Sequence, residues 1–123
     1  VGNLRWGVST FPDERPFVLF VLGRYAGNMT GEVADLASFA DAAADDTTWA
    51  VCCFGQTERS AVEAAAHTGG HARVGFENNL LLPDGTVADD NAALVRLAVD
   101  AARNAGRGPA TAAEVRKRFG KAV

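Results

Sequence analysis

Three apolar runs recur along this chain at intervals of about 25 to 30 residues, the repeat of a strand–helix–strand unit. They are Pro16 to Leu22, Trp49 to Phe54 and Ala72 to Phe76, and each meets a glycine at or near its end (Gly23, Gly55, Gly75). The first two are almost continuously hydrophobic, as expected of parallel strands covered by helices rather than of strands with one wet face. Helical patterns fill the intervals. The first runs from about Gly31 to Ala44, with Val33, Leu36, Phe39, Ala40 and Ala43 as its apolar stripe and Thr30 as a candidate N-cap. The second begins at Thr57, which can cap it, and passes through Val62, Ala65 and Ala66 to the stop at Gly69-Gly70. The third extends from Asp90 to Ala105, with Leu94, Val95, Ala98, Ala101, Ala102 and Ala105 at helical spacing, Asp90 or Asp89 capping its start and Gly106 ending it. A fourth, short helix opens at Thr111-Ala112-Ala113-Glu114, a capping box.

The predicted order is therefore βαβαβα plus a terminal helix. Right-handed crossovers set the three strands side by side in one parallel sheet. Three strands alone leave two bare edges and bury little. The pattern suits the last three units of a TIM (β/α)8 barrel, whose chemistry sits at the C-terminal ends of the strands. On this reading residues 1–15 are an irregular N-terminal segment and residues 16–123 are the C-terminal part of a barrel domain. A start at Val1, without methionine or a helix or strand signal, reads as a cut end.

With 123 residues, 48% hydrophobic and 22% charged, the chain has the composition of a soluble globular domain or a piece of one. A net charge of -3 argues against a general nucleic-acid surface, and the one basic run, Arg116-Lys117-Arg118, is too short to suggest one locally. No apolar stretch approaches the roughly 20 residues needed to span a bilayer, and no secretion signal is visible. A cytoplasmic location is expected. Cys52 and Cys53 are adjacent in an apolar run, so on a strand they point to opposite faces and cannot share one tetrahedral metal. Reduced, buried thiols are the expected state; a reactive thiol is the alternative. Leu80-Leu81-Leu82, ahead of a Pro83-Asp84-Gly85 turn, is expected to pack against something.

The segment Gly69-Gly70-His71-Ala72-Arg73-Val74-Gly75-Phe76-Glu77-Asn78-Asn79 carries the chemistry. Read as a strand, it aligns His71, Arg73, Gly75 and Glu77 on one face and Ala72, Val74 and Phe76 on the other. A guanidinium and a carboxylate on a strand face require partners or a ligand. At ~3.3 Å per residue the two would stand about 13 Å apart, too far for a salt bridge, so each is expected to meet a separate partner.

This segment, with Leu82-Pro83-Asp84-Gly85, Asn91-Ala92-Ala93-Leu94-Val95 and Ala110-Thr111-Ala112-Ala113-Glu114-Val115, resembles the C-terminal end of the β-keto acid cleavage enzymes, typified by the 3-keto-5-aminohexanoate cleavage enzyme of lysine fermentation. Pro16 to Gly23 and Trp49 to Gly55 look like that family's sixth and seventh barrel strands. The resemblance implies a zinc-dependent (β/α)8 acyltransferase that reacts a β-keto acid with acetyl-CoA as co-substrate, giving acetoacetate and a new acyl-CoA. It implies that Glu77 is the carboxylate ligand of the zinc ion, a Lewis acid for the keto oxygen. It further implies that Arg73 and Asn78 are catalytic positions, the arginine orienting a neighbouring acid or holding an anionic oxygen.

Two departures stand out. The family usually has aspartate where this chain has Asn78, and an amide takes no proton near neutral pH, which weakens a base role there. Asn78→Asp is accordingly expected to raise activity. The family's other zinc ligands form a His-x-His pair, which this chain lacks; its histidines are His67, in a helix, and His71, expected at the closed end of the barrel. Catalytic zinc takes three protein ligands. The chain is thus expected to hold only the C-terminal part of the site and to be inactive alone. It would act on small-molecule substrates as a homo-oligomer or with the missing N-terminal part of the barrel. A truncated non-catalytic remnant or interaction module of the same fold is the alternative, and an unrelated small α/β binding protein is a third. Blander roles stay open for each residue: surface carboxylate for Glu77, structural barrel arginine for Arg73, loop cap for Asn78. Arg24 and Gln56, at strand ends, are weaker binding candidates, and Arg116, Lys117, Arg118 and Lys121 read as one solvated helix face.

Overall fold

A computed structural model describes residues 17–25, 30–43 and 46–120. The predicted irregular segment 1–15, Pro16, Ala44 and Lys121 lie outside the described residues. The element order is β1 (Phe17–Leu22), α1 (Asp35–Ala42), β2 (Thr48–Cys53), α2 (Glu58–His67), β3 (His71–Arg73), α3 (Asn91–Asn104) and α4 (Ala112–Phe119). The protein is α/β, and the strands form one parallel sheet in the order β1-β2-β3.

Register decides which side chains share a face. Phe17 stands beside Thr48, Leu19 beside Ala50 and Val21 beside Cys52. Ala50 in turn stands beside His71, and Cys52 beside Arg73. The alternate residues Val18, Phe20, Leu22, Trp49, Val51, Cys53 and Ala72 occupy the opposite face. That second face holds the core, where Phe20, Leu22, Trp49, Val51 and Cys53 pack with Leu36 of α1 and Ala61 and Ala65 of α2. Phe20 stacks on Phe39 at 5.3 Å and tilts against Trp49 at 5.6 Å. The first face is largely uncovered along β1, where Phe17, Leu19 and Val21 are 51%, 38% and 47% exposed. Its N-terminal corner is shielded by α4, where Phe119 meets the Phe17 ring edge-on at 5.7 Å.

Local sequence explains most boundaries. Asp90 caps α3 by accepting from the Ala93 N–H at 2.7 Å, and Thr111 and Glu114 close the predicted capping box on α4. Gly70 is fixed by packing, because a Cβ there would lie 2.3 Å from the Trp49 indole. Two expected caps differ. The first helix starts at Asp35, four residues after Gly31, and Ala34 precedes it without a side-chain cap. Thr57 does precede α2, but its hydroxyl donates instead to the Gly31 carbonyl at 2.8 Å, tying two loops together. On α3, Leu94 and Ala101 are buried as expected while Val95 is 48% exposed. The leucine run also divides, because Leu80 is half exposed whereas Leu81 and Leu82 are partly covered. There the Leu82 N–H donates to Thr86 O, and Asp84 accepts from the Thr86 N–H and hydroxyl, closing the Pro-Asp-Gly turn.

The third strand is shorter than the pattern suggested. It ends at Arg73, three residues before Phe76. Gly75 takes φ 138°, and its carbonyl accepts from the N–H groups of both Asn78 and Asn79 at 3.1 and 3.0 Å. An L side chain there would be strained, and its Cβ would press on the Asn91 amide at 2.9 Å. The chain therefore turns where alternation alone would carry it straight on.

Candidate active site

The turn brings Arg73 and Glu77 together. Arg73 Nη2 donates to Glu77 Oε2, so the two groups expected to find separate partners form an ion pair. The 13 Å separation assumed an extended chain from Arg73 to Glu77, and the bend at Gly75 removes it. The side chains are 45% and 68% exposed, so the pair is worth at most about 1 kcal/mol. Its significance is positional. Arg73 ends β3 on the face shared with Cys52, and Glu77 stands just beyond the C-terminal edge of the sheet.

The backbone beneath this pair is held from four directions. Tyr25, in the loop after β1, donates its hydroxyl to the Glu77 carbonyl at 2.8 Å while its ring meets Phe54 edge-on at 4.7 Å. The Gly55 N–H, after β2, donates to the Asn78 carbonyl at 3.3 Å. Asn91, at the start of α3, accepts from the Phe76 N–H at 3.1 Å. From below comes Glu58, in the first turn of α2 and 4% exposed. Its Oε2 accepts from the Gly75 N–H at 3.3 Å and from Asn78 Nδ2 at 2.8 Å, and its Oε1 accepts from Asn79 Nδ2 at 3.0 Å.

Asn78 is buried and faces inward. Its amide nitrogen donates to the Cys53 carbonyl at 2.6 Å as well as to Glu58, so both amide hydrogens serve the loop. Asn79 does the same, spanning Glu58 and the Leu81 carbonyl. His71 stands at the other end of β3, stacked on Phe17 at 6.1 Å. Burial pushes its pKa below the ordinary histidine value, with the Arg118 and Arg107 charges adding to the effect. Cys52 and Cys53 are free, buried thiols on opposite faces. Burial pushes both pKa values up; the nearby Arg73 charge partly offsets this for Cys52, and the hydrogen bond with Thr57 does so for Cys53.

Among the described residues no three His, Cys, Asp or Glu side chains converge to hold a metal ion. Glu77, the expected ligand, is already paired with Arg73. These residues alone do not fit a zinc ion. What they supply is a guanidinium able to hold an anionic oxygen, paired with a carboxylate.

The sequence reading missed Glu58, Tyr25 and Asn91. A signal for Glu58 was present: it lies three, four and seven residues before Ala61, Val62 and Ala65, so it falls on the buried stripe of its own helix. A charge on an apolar stripe calls for polar partners inside the protein.

Comparison with known proteins gives the family. A model of the beta-keto acid cleavage enzyme family matches residues 4–120. The 3-keto-5-aminohexanoate cleavage enzyme of Fusobacterium nucleatum is 35% identical over 98 residues, 80% of this chain and 35% of that protein. The enzyme of the same name from Acetoanaerobium sticklandii is 33% identical over 101 residues, 82% of this chain and 37% of its own length. A 3-oxoadipate:acetyl-CoA acetyltransferase of Cupriavidus necator is 35% identical over 77 residues, 63% of this chain and 27% of its own. The chain thus spans about a third of the length of the curated relatives it matches. With nearly its whole length matched by the family model, the chain belongs to the beta-keto acid cleavage enzyme family.

Proposed function

We propose that this chain forms the C-terminal part of a (β/α)8 barrel that cleaves a β-keto acid against acetyl-CoA, releasing acetoacetate and a new acyl-CoA. The observation that carries the reading is the Arg73–Glu77 pair at the C-terminal edge of a parallel sheet whose other face is covered by helices. The exposed side chains of Phe17, Leu19 and Val21 share the face of Arg73, as the inner wall of a barrel would require. Completion by further strands, from the rest of the barrel or a second copy, would cover that face and the free sheet edges.

In this reading Arg73 holds an anionic oxygen of the keto acid, or the oxygen on which negative charge gathers as the carbon–carbon bond breaks. Its guanidinium has five N–H donors, and the bond to Glu77 leaves others for substrate. Glu77 is the side chain here suited to a zinc ion, with the remaining ligands contributed from outside the described residues; bound there, the metal would supply Lewis acidity. Asn78 supports the catalytic edge through its amide, which donates to Cys53 O and Glu58. Among the described residues no helix is long and apolar enough to cross a membrane; with two reduced thiols, a cytoplasmic setting fits the chemistry.

The test is acyl transfer from acetyl-CoA by the assembled protein, offered 3-keto-5-aminohexanoate and 3-oxoadipate in turn. Acetoacetate should accumulate with one of them and should fall at least about 100-fold in Arg73→Ala, the loss expected when a charge-stabilising group at the reacting centre is removed. Full turnover in Arg73→Ala would overturn the assignment. Absence of acetoacetate with either acid in the wild type would favour a non-catalytic module built on the same fold.

A further inference from the structure

We propose that Glu58 is the positioning residue of this site, setting the Gly75–Asn79 turn so that Glu77 meets Arg73. The inference rests on the cleavage reading above for its kinetic consequence, but the structural argument is independent of it. Glu58 is 4% exposed, and no Lys, Arg or His among the described residues forms an ion pair with it. Its neighbour Arg59 pairs with Glu63, and Arg73 pairs with Glu77. Burying a carboxylate without a counter-ion is costly, and here the compensation comes wholly from hydrogen-bond donors. All three belong to the one turn: the Gly75 N–H and the side-chain amides of Asn78 and Asn79.

The geometry makes the carboxylate hard to replace. Oε2 accepts two bonds and Oε1 one, so the turn offers donors to both oxygens. A glutamine has one acceptor oxygen and one NH2 group, which is a donor only. In one amide orientation Asn79 Nδ2 confronts that NH2 group; in the other, Gly75 N and Asn78 Nδ2 do. A side chain of almost identical size therefore loses at least one of the three bonds and sets donor against donor. The turn it releases is the one whose φ of 138° at Gly75 bends the chain away from β3. Glu77 sits at the crest of that bend, between Gly75 and Asn78. Glu58 makes no hydrogen bond or ion pair with Arg73 or Glu77, and so it acts through the backbone.

Glu58→Gln in the assembled protein decides the matter, with amide hydrogen exchange and steady-state kinetics as the two readouts. Without substrate, exchange at Gly75, Asn78 and Asn79 should quicken at least tenfold relative to amides of α3, which serve as the internal reference. With 3-keto-5-aminohexanoate or 3-oxoadipate and acetyl-CoA, kcat should fall about 100-fold, the scale for a misplacement near 1 Å, while KM for acetyl-CoA stays near the wild-type value. Adding Glu58→Gln to Glu77→Gln should cost little more than Glu77→Gln alone, because the turn then has no pair to align. Multiplying losses in the double variant, or unchanged exchange at the turn in Glu58→Gln, would overturn the proposal. If Glu58→Gln does not fold, Glu58→Asp, which keeps both oxygens but draws them back by one methylene, should show the same pattern at smaller amplitude. Wild-type protein lacking cleavage activity would sink the functional reading alone, since the exchange arm still decides the role of Glu58.

Discussion

Replacing Asn78 with aspartate is the most informative perturbation of this site. From the motif alone it restores the residue usual in the family, and activity is expected to rise. The surroundings of Asn78 predict that the same change costs stability. Its amide nitrogen lies 2.8 Å from Glu58 Oε2 and 2.6 Å from the Cys53 carbonyl oxygen, both acceptors. An aspartate oxygen at that point faces a carboxylate and a carbonyl with nothing to donate. At an effective dielectric of ~20, two unit charges at that separation repel by about 6 kcal/mol. Relaxation of the exposed side of the loop and uptake of one proton by the pair reduce this. A net loss of about 3 kcal/mol remains, in the range for leaving a buried charge uncompensated. The sign of the pH dependence follows. One carboxyl of the new pair is held protonated in the folded state to a higher pH than in the unfolded chain. The deficit is therefore absent below the ordinary carboxyl range and opens as the pH rises through it. Urea unfolding of wild type and Asn78→Asp at pH 7.5 and at pH 4.5 measures this directly. A variant as stable as wild type at pH 7.5, or one whose deficit grows on acidification, would refute the reasoning.

Three further outcomes are expected. Gly70→Ala should destabilise the protein by about 1–3 kcal/mol by overpacking, since its Cβ would overlap the Trp49 indole; a melting temperature equal to wild type would contradict this. Thr111→Ala should cost α4 about 1 kcal/mol by removing the cap, read as lost helical circular dichroism; because the Glu114 pKa is lowered by its bonds to Thr111, the same helix should loosen in wild type as the pH falls through that carboxyl's folded pKa. The His71 pKa is lowered in the folded state, so its contribution to stability is complete above the ordinary histidine value and declines as the pH falls through it. An NMR titration placing His71 at or above that ordinary value would reject the burial argument.

What could be read without coordinates followed physical rules that act locally. The spacing of apolar runs gave three parallel strands in order, and the capping chemistry of Asp90 and Thr111 fixed the starts of α3 and α4. The errors arose where a non-local bond overrode a local preference. Thr57 looks like an N-cap but spends its hydroxyl on the Gly31 carbonyl, 26 residues away. Alternation carried β3 past Gly75, where the turn is set by bonds to Glu58 and Asn91, which lie 17 residues before and 15 residues after their partners in the turn. The motif singled out Arg73, Glu77 and Asn78 but not their relation to one another. The pairing of the first two depends on that turn, and the inward orientation of the third depends on a carboxylate from another element.

The loops leaving the three strands are laced to one another by their main chains. Leu22 O accepts from Phe54 N, Phe54 O from Gly31 N, and Asn78 O from Gly55 N. Tyr25 closes the lacing by reaching from the first loop to the third. An engineer who wished to graft a new specificity onto this edge could not exchange one loop by itself. The transplant would have to carry all three as a unit, and natural variants of this rim should differ in concert across the same three segments.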